Sequence, residues 1–195
     1  MILTKNIQLN RGEKVTDFIT KVRTISDKLS INPDWLMMVM YMESKINAQA
    51  VNKQKGDSHD PKVRSATRAT GLIQFMPKTA KAFGTTTSAL YNMTALQQLD
   101  YVYAYFKPYA GKLKSFADLY MFTFFPAAIG KPNSYVLQTS KIAASTIAKE
   151  KPVFDVNKDQ KVTVGEFKSK IHANIPETVY AQVMQSFEKK NTSMV

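Results

Sequence analysis

Between Trp35 and Met42 the chain carries eight consecutive apolar residues, Trp35-Leu36-Met37-Met38-Val39-Met40-Tyr41-Met42. They directly follow Asn32-Pro33-Asp34. Asn32 suits a helix N-cap, Pro33 the first helical position, and Asp34 the positive helix end. A helix that is apolar all round cannot lie on a surface, so this one is expected to run through the centre of a core. It is expected to end near Glu43-Ser44. On such a helix Val39 and Met40 precede Glu43 by one turn and Leu36 by two, so the Glu43 carboxyl leaves an apolar face. Desolvation disfavours the charged form and raises a carboxyl pKa. A carboxylic acid still protonated near neutral pH can donate to a glycosidic oxygen. A solvated helix-end glutamate is the plainer alternative that spacing leaves open.

The rest of the chain reads as helices joined by loops, with little strand signal. Residues 52–70 are polar and basic, with Gly56 and Pro61, and read as a long loop. Pro77 opens a short helix that Gly84 can close. Further helices are expected over about 95–106, over Phe116 to Phe125 behind a Ser115/Asp118 capping signal, and over about 135–149. Pro152 marks a boundary. An acidic loop follows near 155–166, and a last helix after Pro176. The domain reading is therefore residues 1–150 and a small segment at 151–195.

At 195 residues and 44% hydrophobic, the chain can bury a core. There are no cysteines, which removes disulfides, cysteine nucleophiles and cysteine zinc sites. The net charge of +12 and pI near 9.7 favour anionic partners, among them nucleic acid, acidic lipid and bacterial wall. The basic residues are scattered, however, and no nucleic-acid motif accompanies them, so nucleic acid is not expected as a partner. Neither a signal peptide nor a transmembrane run is visible. A protein of this kind that acts on the wall would be made in the cytoplasm and delivered by phage lysis, a phage virion or an injection apparatus.

Two stretches carry a resemblance. Glu43-Ser44-Lys45-Ile46-Asn47-Ala48-Gln49-Ala50-Val51-Asn52 resembles the glutamate–serine motif of soluble lytic transglycosylases. Gly71-Leu72-Ile73-Gln74-Phe75-Met76-Pro77-Lys78-Thr79-Ala80 looks like their second motif, which fixes glycine, glutamine, methionine, proline and threonine in one order. With Leu90-Tyr91-Asn92 and the helices that follow, the likeness spans roughly residues 25–140. It implies a mainly α, lysozyme-like fold and peptidoglycan as substrate. It also implies a reaction at the MurNAc-GlcNAc β-1,4 bond, in which Glu43 first protonates the leaving oxygen. Glu43 then acts as base while the muramyl 6-hydroxyl closes a 1,6-anhydro ring. That step needs no cofactor. By the same likeness Gln74 and Met76 contact substrate, and Ser44 is the serine beside the acid. Core packing is the other reading of Met76, and a helix-end hydrogen bond that of Ser44.

Two departures bear on the chemistry. The family's tyrosine-asparagine-alanine-glycine motif is absent, its place taken by Phe124-Phe125-Pro126-Ala127-Ala128-Ile129-Gly130. Tyr120 is the candidate to supply the missing hydroxyl, with a core tyrosine as the alternative. The loop from Lys53 to Thr70 holds Asp57 and Asp60, either of which could activate water and make a hydrolytic muramidase. Loop-forming roles are the other reading of both. A non-catalytic wall-binding or virion structural protein is the rival from another class; the intact Glu43, Gln74 and Met76 argue against it.

Asp155-Val156-Asn157-Lys158-Asp159-Gln160-Lys161-Val162-Thr163-Val164-Gly165-Glu166 resembles an EF-hand calcium loop. The ligands would be Asp155, Asn157, Asp159, the Lys161 carbonyl, Thr163 and Glu166, serving a structural Ca²⁺. Gln160 stands where the motif wants glycine. A metal-free helical turn is the alternative.

Overall fold

The computed structural model describes residues 1–10, 12–175, 177 and 179, and among these the chain is helical with isolated β-bridges and no strands. It forms two compact units, Met1–Lys112 and Leu113–Val195.

In the first unit, α1 (Val15–Leu29), α2 (Pro33–Ser44) and α6 (Ala95–Phe106) form the framework, with α1 packed on both of the others. Three short helices lie between α2 and α6: α3 (Pro61–Arg64), α4 (Pro77–Ala82) and α5 (Thr87–Asn92). α2 is the central helix that its sequence requires. Leu36, Met37, Met38, Val39 and Met40 are all fully buried, each contributing about 1.5–3 kcal/mol by leaving water. The Asn32 side chain accepts from the Asp34 N–H, and Pro33 occupies the first turn, as the sequence requires. α1 was not foreseen. It buries Phe18, Val22, Ile25 and Leu29 along one stripe, but Lys14 at its N-cap makes no side-chain capping bond, so no start signal announced it. α6 has the expected bounds. A Thr94/Gln97 capping box starts it, and the Glu13 carboxylate accepts from the N–H groups of Ala95 and Leu96 at 3.0 and 2.7 Å.

In the second unit, α7 (Phe116–Phe124) starts at Ser115, whose hydroxyl accepts from Asp118 N–H as expected. α8 spans Ala144–Glu150 and α9 spans Val164–Ala173. The helix read over residues 135–149 is therefore corrected to its last turns. Residues 135–137 are extended instead, because Leu137 N–H donates to the Val162 carbonyl at 2.8 Å and Val164 N–H to that of Tyr135 at 2.9 Å. The core of this unit is aromatic: Phe167 stacks on Phe124 with ring centroids 5.1 Å apart, and Phe154 lies 5.0 Å from both. The units divide after Lys112, whereas the boundary read from the sequence falls at Pro152, inside the second unit. The helix read after Pro176 lies outside the described residues save Glu177 and Val179. Among the described residues no helix is long and apolar enough to cross a membrane.

Candidate active site

Glu43 is the penultimate residue of α2 and is half-buried, one turn past the fully buried Val39 and Met40. The helix stops immediately after it. Lys45 and Ile46 both take left-handed backbone, each with φ 58°, and the Lys45 N–H returns to the Met40 and Tyr41 carbonyls. Such a conformation costs a non-glycine residue about 1–2 kcal/mol. Lys45 and Ile46, a long and a β-branched residue, take that conformation two and three residues after Glu43, where α2 ends.

Ser44 ties that helix end to the second motif. Its buried hydroxyl lies 2.9 Å from the Met40 carbonyl and 2.9 Å from the Leu72 carbonyl, either of which it can donate to. It also accepts from Asn47 N–H at 3.3 Å. The helix-end role is therefore the one the geometry gives Ser44. Residues 70–75 form a tight turn in which Thr70 and Phe75 exchange N–H···O bonds of 3.1 and 2.9 Å. Gln74 sits in this turn with φ 51°, and its amide donates to the Gly71 and Ala50 carbonyls at 3.0 and 3.2 Å. Those bonds orient a half-buried side chain. Met76 follows and is 58% exposed, so it is not a core residue.

Gln98 holds the turn from beneath, and the sequence reading missed it. It is fully buried on α6, with its oxygen accepting from Leu72 N–H at 2.9 Å. Its amide donates to the carbonyls of Ala48 and Leu90 at 2.6 and 2.7 Å. Gly71, with φ +89°, lies so close that any Cβ there would collide with the Gln98 side chain. The available signal was positional: Gln98 falls in the buried stripe Ala95, Leu99, Val102, Phe106, where a polar residue must find partners.

Tyr105, on the same helix, was also missed. Burial, and then the negative charge of Glu43, push its hydroxyl up to about 12. Its ring meets Phe75 edge-on at 5.9 Å, within the second motif. Tyr120, the hydroxyl candidate from the sequence, belongs to the second unit. There it stacks on Phe167 at 5.9 Å and lies 6.1 Å from Phe116.

The loop over residues 52–70 is braced. Arg68 grips Asp57 through three N···O contacts of 2.6 to 3.1 Å, while Gln54 N–H donates to the same carboxylate at 2.8 Å. The Arg68 hydrogen bond, before all else, holds the Asp57 carboxyl below its usual range. Asp60 caps α3, accepting from Lys62 N–H at 2.8 Å. Both aspartates thus have loop-forming work.

In the acidic loop, Asp155 accepts from the N–H groups of Asp159 and Gln160, each at 3.1 Å, and Asn157 from that of Asp159 at 3.0 Å. The N–H of Lys161 donates to Asp159 at 2.9 Å. Gln160 takes the left-handed backbone, φ 64°, that the sixth position of a calcium loop demands. Val162 is fully buried. Glu166 and Thr163 form a reciprocal capping box that starts α9. Burial pushes the Glu166 carboxyl up, but bonds from Thr163, Asn157 and Val156 outweigh it and leave the group below its usual range. Among the described residues no group of three or more His, Cys, Asp or Glu side chains is placed together to hold a metal ion.

Residues 21–100 match the family model described as the transglycosylase SLT domain. The match takes in α2 with Glu43 and Ser44, the turn with Gln74 and Met76, and Gln98. It supports a lysozyme-like helical domain in this part of the chain and links it to lytic transglycosylase activity on peptidoglycan. No curated protein and no solved structure matches the chain.

Proposed function

We propose that the protein is a peptidoglycan lytic transglycosylase with Glu43 as its single catalytic acid/base. The observation that carries this reading is the bond from Ser44 to Leu72, which locks the end of α2 to the turn bearing Gln74 and Met76. That bond joins the helix end carrying a half-buried carboxyl to the turn carrying two side chains that could contact sugar, within the segment that matches the SLT domain. In the first step the Glu43 carboxyl gives its proton to the glycosidic oxygen, and the bond from that oxygen to the muramyl C1 breaks. In the second, the Glu43 carboxylate takes the proton of the muramyl 6-hydroxyl as its oxygen bonds C1. Glu43 ends protonated, and the product is a 1,6-anhydro ring. The Asp57–Arg68 pair favours this course over a hydrolytic muramidase, because a carboxylate held by a guanidinium is a weakened base.

The acidic loop of the second unit we assign to structural calcium. Its support is the order of the oxygen donors from Asp155 to Glu166, together with the left-handed backbone at Gln160. Calcium there would draw the oxygen donors of the loop around one ion and take no part in bond cleavage.

Glu43→Gln tests the catalytic assignment. The amide keeps the volume but cannot cycle a proton, so wall cleavage is expected to fall by at least about 10²-fold with melting unchanged. Near wild-type turbidity clearance of purified wall by this variant would remove Glu43 from the mechanism.

A further inference from the structure

The loop that separates the two motifs grows out of the turn that carries Gln74. The Ala50 carbonyl accepts from Gly71 N–H at 2.8 Å and from the Gln74 amide at 3.2 Å, and Asn52 N–H donates to the Ala69 carbonyl at 2.9 Å. One shared acceptor thus orients Gln74 and closes the base of the loop. Lys53 follows that acceptor by three residues, at most about 11 Å of backbone. Above its base the loop is held at several points. Arg64 donates through Nη1 to the Ser58 and His59 carbonyls at 2.9 and 2.8 Å. The buried Ser65 hydroxyl donates to the Lys62 carbonyl at 2.7 Å and lies 3.5 Å from the Ser88 hydroxyl of α5. With the Asp57–Arg68 pair and the Asp60 cap, the loop has its shape before anything binds.

Its charges divide unevenly. Residues 52–70 hold five lysine or arginine side chains and two carboxylates, a net +3. Both arginines and both aspartates are engaged within the loop. Lys53, Lys55 and Lys62 are left exposed, and among the described residues no carboxylate lies within ion-pair distance of any of them. The Lys53 ammonium lies 3.2 Å from His59 Nδ1. Because the backbone beneath these lysines is already ordered, an arriving anion has only side-chain freedom to offset.

We propose that Lys53, Lys55 and Lys62 form a specificity surface for acidic peptide, pairing with the carboxylates of the stems that hang from the muramyl residues of the wall. The assignment rests on peptidoglycan being the substrate of the Glu43 site, and it deepens that reading. The sugars of the glycan offer this loop hydroxyls and amides but no charge, so its positive field has its complement in the stems. A loop rooted at Gln74 and a stem attached to the sugar being cut start from the same place. Such contacts are equal before and during bond cleavage, so they lower KM and leave kcat alone.

The test sets the full chain against a Lys53→Gln/Lys55→Gln/Lys62→Gln variant on two probes: soluble glycan strands bearing tetrapeptide stems, and the same strands stripped of stems by an amidase. Affinity is read by calorimetric titration in a Glu43→Gln background, which keeps the strands whole. KM and kcat are read with Glu43 in place. The side-chain bond given up in the variant is the exposed one between Lys53 and His59, so melting should be unchanged. The native loop should bind stem-bearing strands about tenfold tighter than stripped ones at low salt, as a few exposed ion pairs together allow. The variant should lose that preference, with KM on stem-bearing strands rising by the same factor and kcat held. Equal affinity of the native loop for both probes overturns the assignment. So does a preference that survives in the variant, or a loss that falls equally on both probes. A lysine-dependent stem preference in a chain that cuts neither probe removes the transglycosylase reading and leaves the stem surface standing. Cleavage to anhydro ends without any stem preference removes the surface alone.

Discussion

Replacing Gln98 by leucine should be among the most damaging single changes in the first unit. Leucine fills similar space, so the loss is one of polar partners rather than of volume. Gln98 makes three buried bonds, to Leu72 N–H at 2.9 Å and to the Ala48 and Leu90 carbonyls at 2.6 and 2.7 Å. The Leu90 carbonyl keeps its bond from Met93 N–H at 3.0 Å, whereas the Leu72 N–H and the Ala48 carbonyl lose this partner. Two buried groups at about 1–3 kcal/mol each, plus about 1 kcal/mol for the third bond, give a loss of roughly 3–7 kcal/mol. That is a large part of a typical stability of about 5–15 kcal/mol. It should lower the melting temperature by roughly 10–20 °C in a chain of this size. Urea unfolding of wild type and Gln98→Leu measures it. A loss under about 1 kcal/mol would mean that water or a neighbour replaces the bonds and that Gln98 is not the clamp. Gly71→Ala supplies an internal check. In the wild-type background its Cβ strikes Gln98 and its φ of +89° is strained. In a Gln98→Ala background only the backbone strain of about 1–2 kcal/mol remains, so the two substitutions should be strongly non-additive.

Asp57→Asn and Asp60→Asn should each leave wall cleavage within a few-fold of wild type, since the first loses an ion pair and the second keeps a good N-cap; abolition by either would move the mechanism to a muramidase. Because the Asp57 carboxyl lies below its usual range, its bracing of the loop is complete above the ordinary carboxylate pKa and is lost as pH falls through the lowered one. Proteolytic nicking within residues 52–70 should accordingly rise in acid, and Asp57→Asn should remove that pH dependence. Calcium should bind the Asp155–Glu166 loop with a dissociation constant on the order of 10⁻⁴–10⁻³ M and add about 2.7 kcal/mol at a hundredfold excess. Calorimetric titration of wild type and Asp155→Ala decides it, and no heat from wild type at millimolar calcium would discard the metal.

The parts of the fold that were legible in the sequence are those with local signals. α2 and α6 each begin at a side-chain cap, Asn32 and Thr94, and continue in an apolar pattern that can be read without tertiary information. α1 has the stripe but lacks the cap. Tyr135 and Leu137 are drawn out of a helix by pairing with Val164 and Val162, bonds that join stretches distant in sequence, while Thr139 and Ile142 close a turn between them. The same division runs through the site. Glu43, Ser44, Gln74 and Met76 stand in contiguous motifs and could be named in advance. Gln98 and Tyr105 matter through what they meet across space, namely the Gly71–Leu72 backbone and the charge of Glu43. In the sequence they were a polar residue and an aromatic one among several on a helix.

The account stands or falls on the chemistry at the cut end of the glycan. Purified peptidoglycan digested with the protein, with the soluble fragments resolved by mass spectrometry, reports activity and product together. Fragments ending in 1,6-anhydro-muramyl residues, lighter by one water than their hydrolysed counterparts, are the predicted result. Reducing ends would instead show that water is activated by a second group, and an absence of any released fragment would show that the site of Glu43, Gln74 and Met76 does not cut the wall.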